Sequence, residues 1–121
     1  MASKADRNRL YDIHRLPCVA CVQTRRLMPG GPVEAHHIVD KGYRRHSGGH
    51  RATIPLCQYH HRGVPPHMDL RPSECLELLG PSLALSKRAF LVRFGSERSL
   101  LERTDRMLEA MRNDETLSLP M

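Results

Sequence analysis

The chain has no tryptophan, three tyrosines and two phenylalanines; aromatics make up 4% of its 121 residues. Aromatic side chains are the largest single contributors to burial, so a chain of this length can build one core but not a generous one. A metal staple would matter here: structural Zn²⁺ contributes about 10–16 kcal/mol in zinc-finger peptides, and its binding is coupled to folding. Acidic residues are in the minority, 13 against 19 Lys and Arg, giving a net charge of +6 and a pI near 9.6. That balance suits a polyanionic partner, nucleic acid or an anionic membrane, although ordinary solubility alone would also account for it. No apolar run approaches the roughly 20 residues of a membrane-spanning helix. The N-terminus, Met1 to Arg7, lacks the apolar stretch of a signal peptide. The expected setting is the cytoplasm, with no membrane partner, where paired cysteines more often bind metal than each other. Asparagine is nearly missing, with Asn8 and Asn113 the only two.

No repeat, low-complexity tract or linker divides the sequence, so residues 1–121 read as a single domain. Residues 3–16 read as a helix, with Ser3 as its cap and Asp6 three positions on. Pro17 ends it and leads into a metal core over 17–68. Pro29-Gly30-Gly31-Pro32 is a turn signal. Val33–Val39 and Thr53–Leu56 read as short strands of an antiparallel hairpin, with a basic, glycine-containing loop, Lys41 to Arg51, at its tip. A helix begins at Gln58, and Gly63, Pro65 and Pro66 limit it to one or two turns. The C-terminal helices, over 73–112, comprise a segment from Ser73 with Leu76 and Leu79, one over Lys87–Phe94, and a last one capped by Ser96. Leu100, Leu101, Met107, Leu108 and Met111 fall at helical spacing in that last helix, a core stripe. The tail over 113–121 is expected to fray.

Three of the four cysteines and every histidine except His14 lie between Cys18 and His67. Cys18 and Cys21 form a C-x2-C pair, and Cys57 and His60 a C-x2-H pair at a helix start. Zn²⁺ prefers four tetrahedral thiolate and imidazole ligands, and two such pairs supply them. Residues 22–56 separate the pairs, enough for a hairpin, as in a treble-clef-like zinc fold. A redox C-x-x-C would need a thioredoxin-like βαβ pattern, which the sequence does not show. Cys75 has no spaced partner and reads as a buried apolar residue; His14 reads as a surface residue.

The adjacent His36 and His37 are harder to explain as structure, since alternation along a strand points them to opposite faces. His60 and His61 form a second pair; if His60 faces the zinc, His61 faces the hairpin. His36, His37 and His61, joined by His67, then make a site with the parts that phosphodiester hydrolysis needs. A neutral imidazole takes a proton from water, and a divalent metal stabilises the phosphate and the leaving oxygen. The other reading is a histidine-rich zinc module whose extra histidines are solvated or bind a second zinc. Lys41, Arg44, Arg45 and Arg51 are the expected phosphate contacts, because arginine forks match phosphate geometry and lie close in sequence to the histidine pair; simple solvation of a loop of charges is the alternative. Contacts of that kind carry little base preference.

Taken together, Cys18-x2-Cys21, Ala35-His36-His37-Ile38, Ile54-Pro55-Leu56-Cys57-x2-His60-His61 and the following His67 resemble the HNH (His-Me finger, ββα-metal) endonucleases. More narrowly, Ser3-Lys4-Ala5-Asp6-Arg7, Pro55-Leu56-Cys57 with His60-His61, and Arg93-Phe94-Gly95-Ser96-Glu97 resemble the bacteriophage Ref family of RecA-dependent recombination-enhancement nucleases. The likeness covers about residues 2–68 and resumes near 87–104. It implies an α+β fold: a small zinc-stapled ββα-metal HNH core with flanking helices. It implies His37 as general base, and His36 and His61 as ligands of a catalytic Mg²⁺ or other divalent ion, with His67 completing that site. It further implies DNA as substrate, single strands or recombination intermediates, a RecA filament as partner, and a bacterial or phage source. The middle Asn of the HNH motif is absent, and His50 or Thr53 stands where the base would be oriented, His50 being the better hydrogen-bonding candidate. Residues 69–86 have no counterpart in the shorter pattern. The chain begins almost at its first helix, without a long basic arm to hold DNA unaided. A non-catalytic zinc module that binds DNA or a recombination protein, and a free-standing homing or toxin-type HNH nuclease, are the rival readings.

Overall fold

Ser3 closes a reciprocal capping box at the start of the first helix: its hydroxyl accepts from the Asp6 amide at 3.1 Å, and the Asp6 carboxylate accepts from the Ser3 amide at 3.1 Å. The computed structural model describes residues 3–24, 33–40 and 48–118. The first helix, α1, spans Lys4–Ile13. It stops three residues short of the expected Leu16. Two tight-turn hydrogen bonds, Arg15 N to Asp12 O and Leu16 N to Ile13 O, replace its last turn, and the residue before Pro17 is disfavoured in a helix. The Cys18–Cys21 turn runs directly into a helix the sequence reading did not foresee, α2, Val19–Thr24.

Strands β1 (Val33–His37) and β2 (Thr53–Cys57) pair antiparallel, with His36 opposite Ile54 and His37 opposite Thr53. Ile38 N extends the ladder to Ala52 O at 3.0 Å. A 3-10 turn, Gly49–Arg51, leads into β2. Lys41, Arg44 and Arg45 lie outside the described residues. The short helix α3, Gln58–Arg62, follows β2 directly, so the order is strand, strand, helix. Gly63 stops α3: it adopts φ 78°, a left-handed conformation that costs glycine nothing, and its amide closes on the Tyr59 carbonyl at 2.8 Å.

All five residues of β2 are buried, because α1, α2, α3 and β1 surround the strand and the last helix packs on it as well. The other C-terminal helices are α4 (Pro72–Leu79) and α5 (Lys87–Phe94); α6 is Glu97–Ser118. The main core joins Ile38, Ile54 and Leu56 to Leu79, Phe90, Phe94 and Leu100. Ile13, Leu16 and Leu108 form a smaller one, flanked by Met107 and Met111. Cys75 is buried at 1% exposure in the main core, as an apolar residue would be. Two further details depart from the sequence reading. The helix α6 continues past Asn113 to Ser118; no proline or glycine interrupts it before Pro120. In α4, Leu79 is fully buried but Leu76 is 57% exposed, because α4 turns Cys75 and Leu79, four apart, toward the core.

Leu79→Ala should therefore cost about 2–5 kcal/mol in urea unfolding, and Leu76→Ala no more than about 0.5 kcal/mol. Equal losses would mean that α4 presents a different face.

Candidate functional site

The two ligand pairs are built alike. Cys18 sits just before α2, and its sulfur accepts from the Cys21 amide at 3.4 Å. Cys57 is the N-cap of α3, and its sulfur accepts from the His60 amide at 3.4 Å. Each pair thus occupies the cap and third position of a helix, where amide hydrogens and the helix dipole favour a thiolate. The hairpin brings the two helix starts together. Cys18, Cys21, Cys57 and His60 place their ligand atoms all within 4.8 Å of one another. His60 Nδ1 lies 3.6, 3.4 and 3.3 Å from the Cys18, Cys21 and Cys57 sulfurs, and Cys21 and Cys57 sulfurs are 3.8 Å apart. Bonds of about 2.3 Å to sulfur and about 2.0–2.1 Å to nitrogen give tetrahedral edges of about 3.5–3.8 Å, so the set fits a metal such as zinc.

The opposite nitrogen of His60, Nε2, donates to the Leu79 carbonyl at 2.7 Å. That bond fixes the tautomer and leaves the Nδ1 lone pair facing the sulfurs. The Phe90 and Phe94 rings pack against the same imidazole, with centroids at 6.4 and 5.1 Å. Residues 69–86, without a role from sequence, thus supply the carbonyl that orients a ligand. Among the protein groups themselves the cluster is electrostatically strained. Hydrogen bonds from Cys21 and Cys57 hold the Cys18 thiol far below its ordinary range, while Cys18 and Cys21 push the Cys57 thiol up. Burial lowers His60, but Cys18 and Cys21 outweigh it and raise the ring to about 10. A cation at the centre removes that competition for protons.

Two further histidines meet between β1 and α3. His36 Nδ1 lies 3.3 Å from His61 Nε2, their rings edge to face. His37 points the other way, its Nε2 2.8 Å from His50 Nδ1. Thr53, the other candidate for that place, donates its hydroxyl to the His50 carbonyl at 3.0 Å and accepts from Arg9 at 3.1 Å. His67 is exposed. Among the described residues, the Cys18-Cys21-Cys57-His60 set is the one group of three or more candidate ligands whose atoms all lie within 4.8 Å of one another. His14 is exposed, its Nδ1 2.7 Å from the Leu10 carbonyl. Of the four expected phosphate contacts only Arg51 lies among the described residues; its side chain is 80% exposed and 3.9 Å from Asp6.

Two carboxylates frame the histidine pair and were not singled out from sequence as site residues. Glu34 lies two positions before His36 on β1, a spacing that puts both on one face. It accepts from His61 Nδ1 at 2.9 Å and is gripped by Arg62 at 2.8 and 2.9 Å. Glu97, 3% exposed at the start of α6, accepts from the Val39 amide at 2.7 Å and pairs with Lys87 at 3.2 Å. Burial raises its carboxyl, but the facing His36 ring, the Val39 amide and Lys87 outweigh it and hold it at about 2.

The model of a family described as recombination enhancement, RecA-dependent nuclease matches residues 2–109. The chain belongs to this family. The match runs from the capping box of α1 through both histidine groups into α6, so the zinc-type cluster and the C-terminal helices are all family territory. No curated protein matches the sequence. Among the described residues of this RecA-dependent nuclease family member, no helix is long and apolar enough to cross a membrane.

The purified protein should carry one tightly held zinc per chain. Cys57→Ser and His60→Ala should lose the zinc and the cooperative fold together, whereas Cys75→Ser should keep both. Zinc retained at full stoichiometry by Cys57→Ser would contradict the four-ligand set.

Proposed function

We propose that this chain is a metal-dependent DNA endonuclease of the HNH type, acting on single strands or recombination intermediates held in a RecA filament. Cys18, Cys21, Cys57 and His60 hold a structural Zn²⁺. The strand-strand-helix order of β1, β2 and α3 is that of a ββα-metal, treble-clef-like core. His36 Nδ1 and His61 Nε2 would hold a divalent cation: nitrogens bound at about 2.1 Å to one ion lie about 3.0–3.4 Å apart, and these two are 3.3 Å apart. A divalent ion such as Mg²⁺ there would stabilise charge on the phosphate and on the leaving oxygen. His37, on the opposite face of β1, takes the proton from the attacking water. His50 orients the His37 ring across their 2.8 Å contact, in the role left vacant by the missing asparagine. Lys41, Arg44, Arg45 and Arg51, between His37 and β2 in sequence, contact phosphates and add affinity that falls with salt.

The observation that carries this reading is the convergence of His36 and His61, next in sequence to a His37 that contacts His50, in a chain of a nuclease family. A second reading, a non-catalytic zinc module that binds DNA or a recombination protein, is favoured by one observation: no asparagine lies between Asn8 and Asn113.

Cleavage of single-stranded DNA with Mg²⁺, with and without RecA filaments, separates these readings. Wild type should cut on filaments, and His37→Ala should lose about 10²–10⁴-fold of that rate. Cutting lost in His37→Ala but indifferent to RecA would keep the nuclease and discard the partner. A folded, zinc-loaded protein that never cuts would favour the binding module.

A further inference from the structure

The ring nitrogens that His36 and His61 turn away from each other both face carboxylates. His61 Nδ1 lies 2.9 Å from Glu34 Oε1. A carboxylate only accepts, so the hydrogen of that contact sits on Nδ1, and the neutral ring then carries its lone pair on Nε2. The Glu34 carboxylate cannot swing away freely, because Arg62 holds both of its oxygens. On the other ring, His36 Nε2 is buried and has no hydrogen-bond partner among the described residues. The nearest acceptor is Glu97 Oε2 at 3.7 Å, anchored by the Val39 amide. That separation is too long for a hydrogen bond, but a small swing of the ring closes it. An orphaned buried nitrogen beside a fixed carboxylate favours the hydrogen on Nε2 and the lone pair on Nδ1.

Both inner nitrogens then turn lone pairs toward each other at 3.3 Å, a distance at which one ring can otherwise donate a hydrogen bond to the other; a cation between them is bound by both. Resting on the reading of His36 and His61 as ligands, we propose that Glu34 and Glu97 are the positioning residues of this pair. Each fixes the hydrogen on the outer nitrogen of one ring, so that the two inner nitrogens are preset for a single divalent ion. Carboxylates placed behind metal-binding imidazoles orient the ring and raise its basicity, and their loss weakens metal affinity about 10–100-fold. The assignment also gives the C-terminal helices a part in the site. Ser96 caps α6 by accepting from the Ser99 amide at 3.1 Å, which sets Glu97 in the first turn. Lys87 of α5 steadies the free carboxylate oxygen.

The test is Mn²⁺ binding to zinc-loaded protein, followed by electron paramagnetic resonance, for wild type, Glu34→Gln, Glu97→Gln and His36→Ala, with zinc content and thermal midpoint recorded for each. Both Gln variants should bind Mn²⁺ at least tenfold more weakly while keeping their zinc. Wild-type affinity in folded Gln variants, with binding abolished in His36→Ala, would overturn the positioning role and leave the ligand pair standing. Unchanged binding in His36→Ala would instead sink the ligand pair itself. Glu97 is buried and its variant could fail to fold, so the ring tautomers of wild type give an independent reading. Long-range ¹H–¹⁵N spectra before Mn²⁺ is added should show His36 Nδ1 and His61 Nε2 without hydrogens; hydrogens on those inner nitrogens would overturn the proposal.

Discussion

Three sulfurs and one imidazole nitrogen within 4.8 Å of one another, mostly out of water, make an arrangement that protein groups alone do not stabilise. Thiolates repel, thiols leave weak donors facing weak acceptors, and the burial that closes the cluster penalises every charge in it. A cation reverses each of these terms at once. The rest of the molecule is disposed around that centre. The N-termini of α2 and α3 point their amides at its sulfurs, Leu79 of α4 grips the far nitrogen of His60, and Phe90 and Phe94 of α5 cover the ring. With few aromatics, the chain places both phenylalanines on His60. A metal held there would replace core area that the composition does not supply.

Once α3 is fixed by His60, the neighbouring His61 has little choice of direction. Consecutive positions on a helix point about 100° apart, so a ring turned into the cluster at His60 leaves its neighbour turned toward β1. There His36 meets it, while His37, one residue on, projects from the other strand face to His50. One short helix therefore contributes to two side-chain groups of different chemistry: a closed sulfur-rich cluster, and a partly buried group of histidines and carboxylates. Under the proposed function, that division is the one between a structural and a catalytic metal site.

Much of this was legible from spacing. The two pairs of zinc-type ligands, the opposite faces of His36 and His37, the start of α3 at Gln58 and the span Lys87–Phe94 all follow from local pattern, and local pattern survives folding. What was not legible depended on contacts between distant segments. Glu97 stood in a motif read only as a resemblance, since nothing in its neighbourhood reveals that α6 delivers it to His36 and Val39. The carbonyl of Leu79 has no side-chain signature at all. The short helix α2 was hidden because a cysteine cap looks like a metal turn. His67, which the resemblance implies as completing the metal site, is exposed and remains an expectation. Lys41, Arg44 and Arg45 remain expectations from charge and position.

Under the proposed function, two metal centres of unlike composition share α3. Anomalous diffraction from crystals of zinc-loaded protein soaked in Mn²⁺, recorded at both metal edges, tests it most directly. The expected result is a zinc peak enclosed by Cys18, Cys21, Cys57 and His60, and a separate manganese peak between His36 and His61. A manganese peak held by other residues, or none at all in crystals whose zinc site is full, would contradict it.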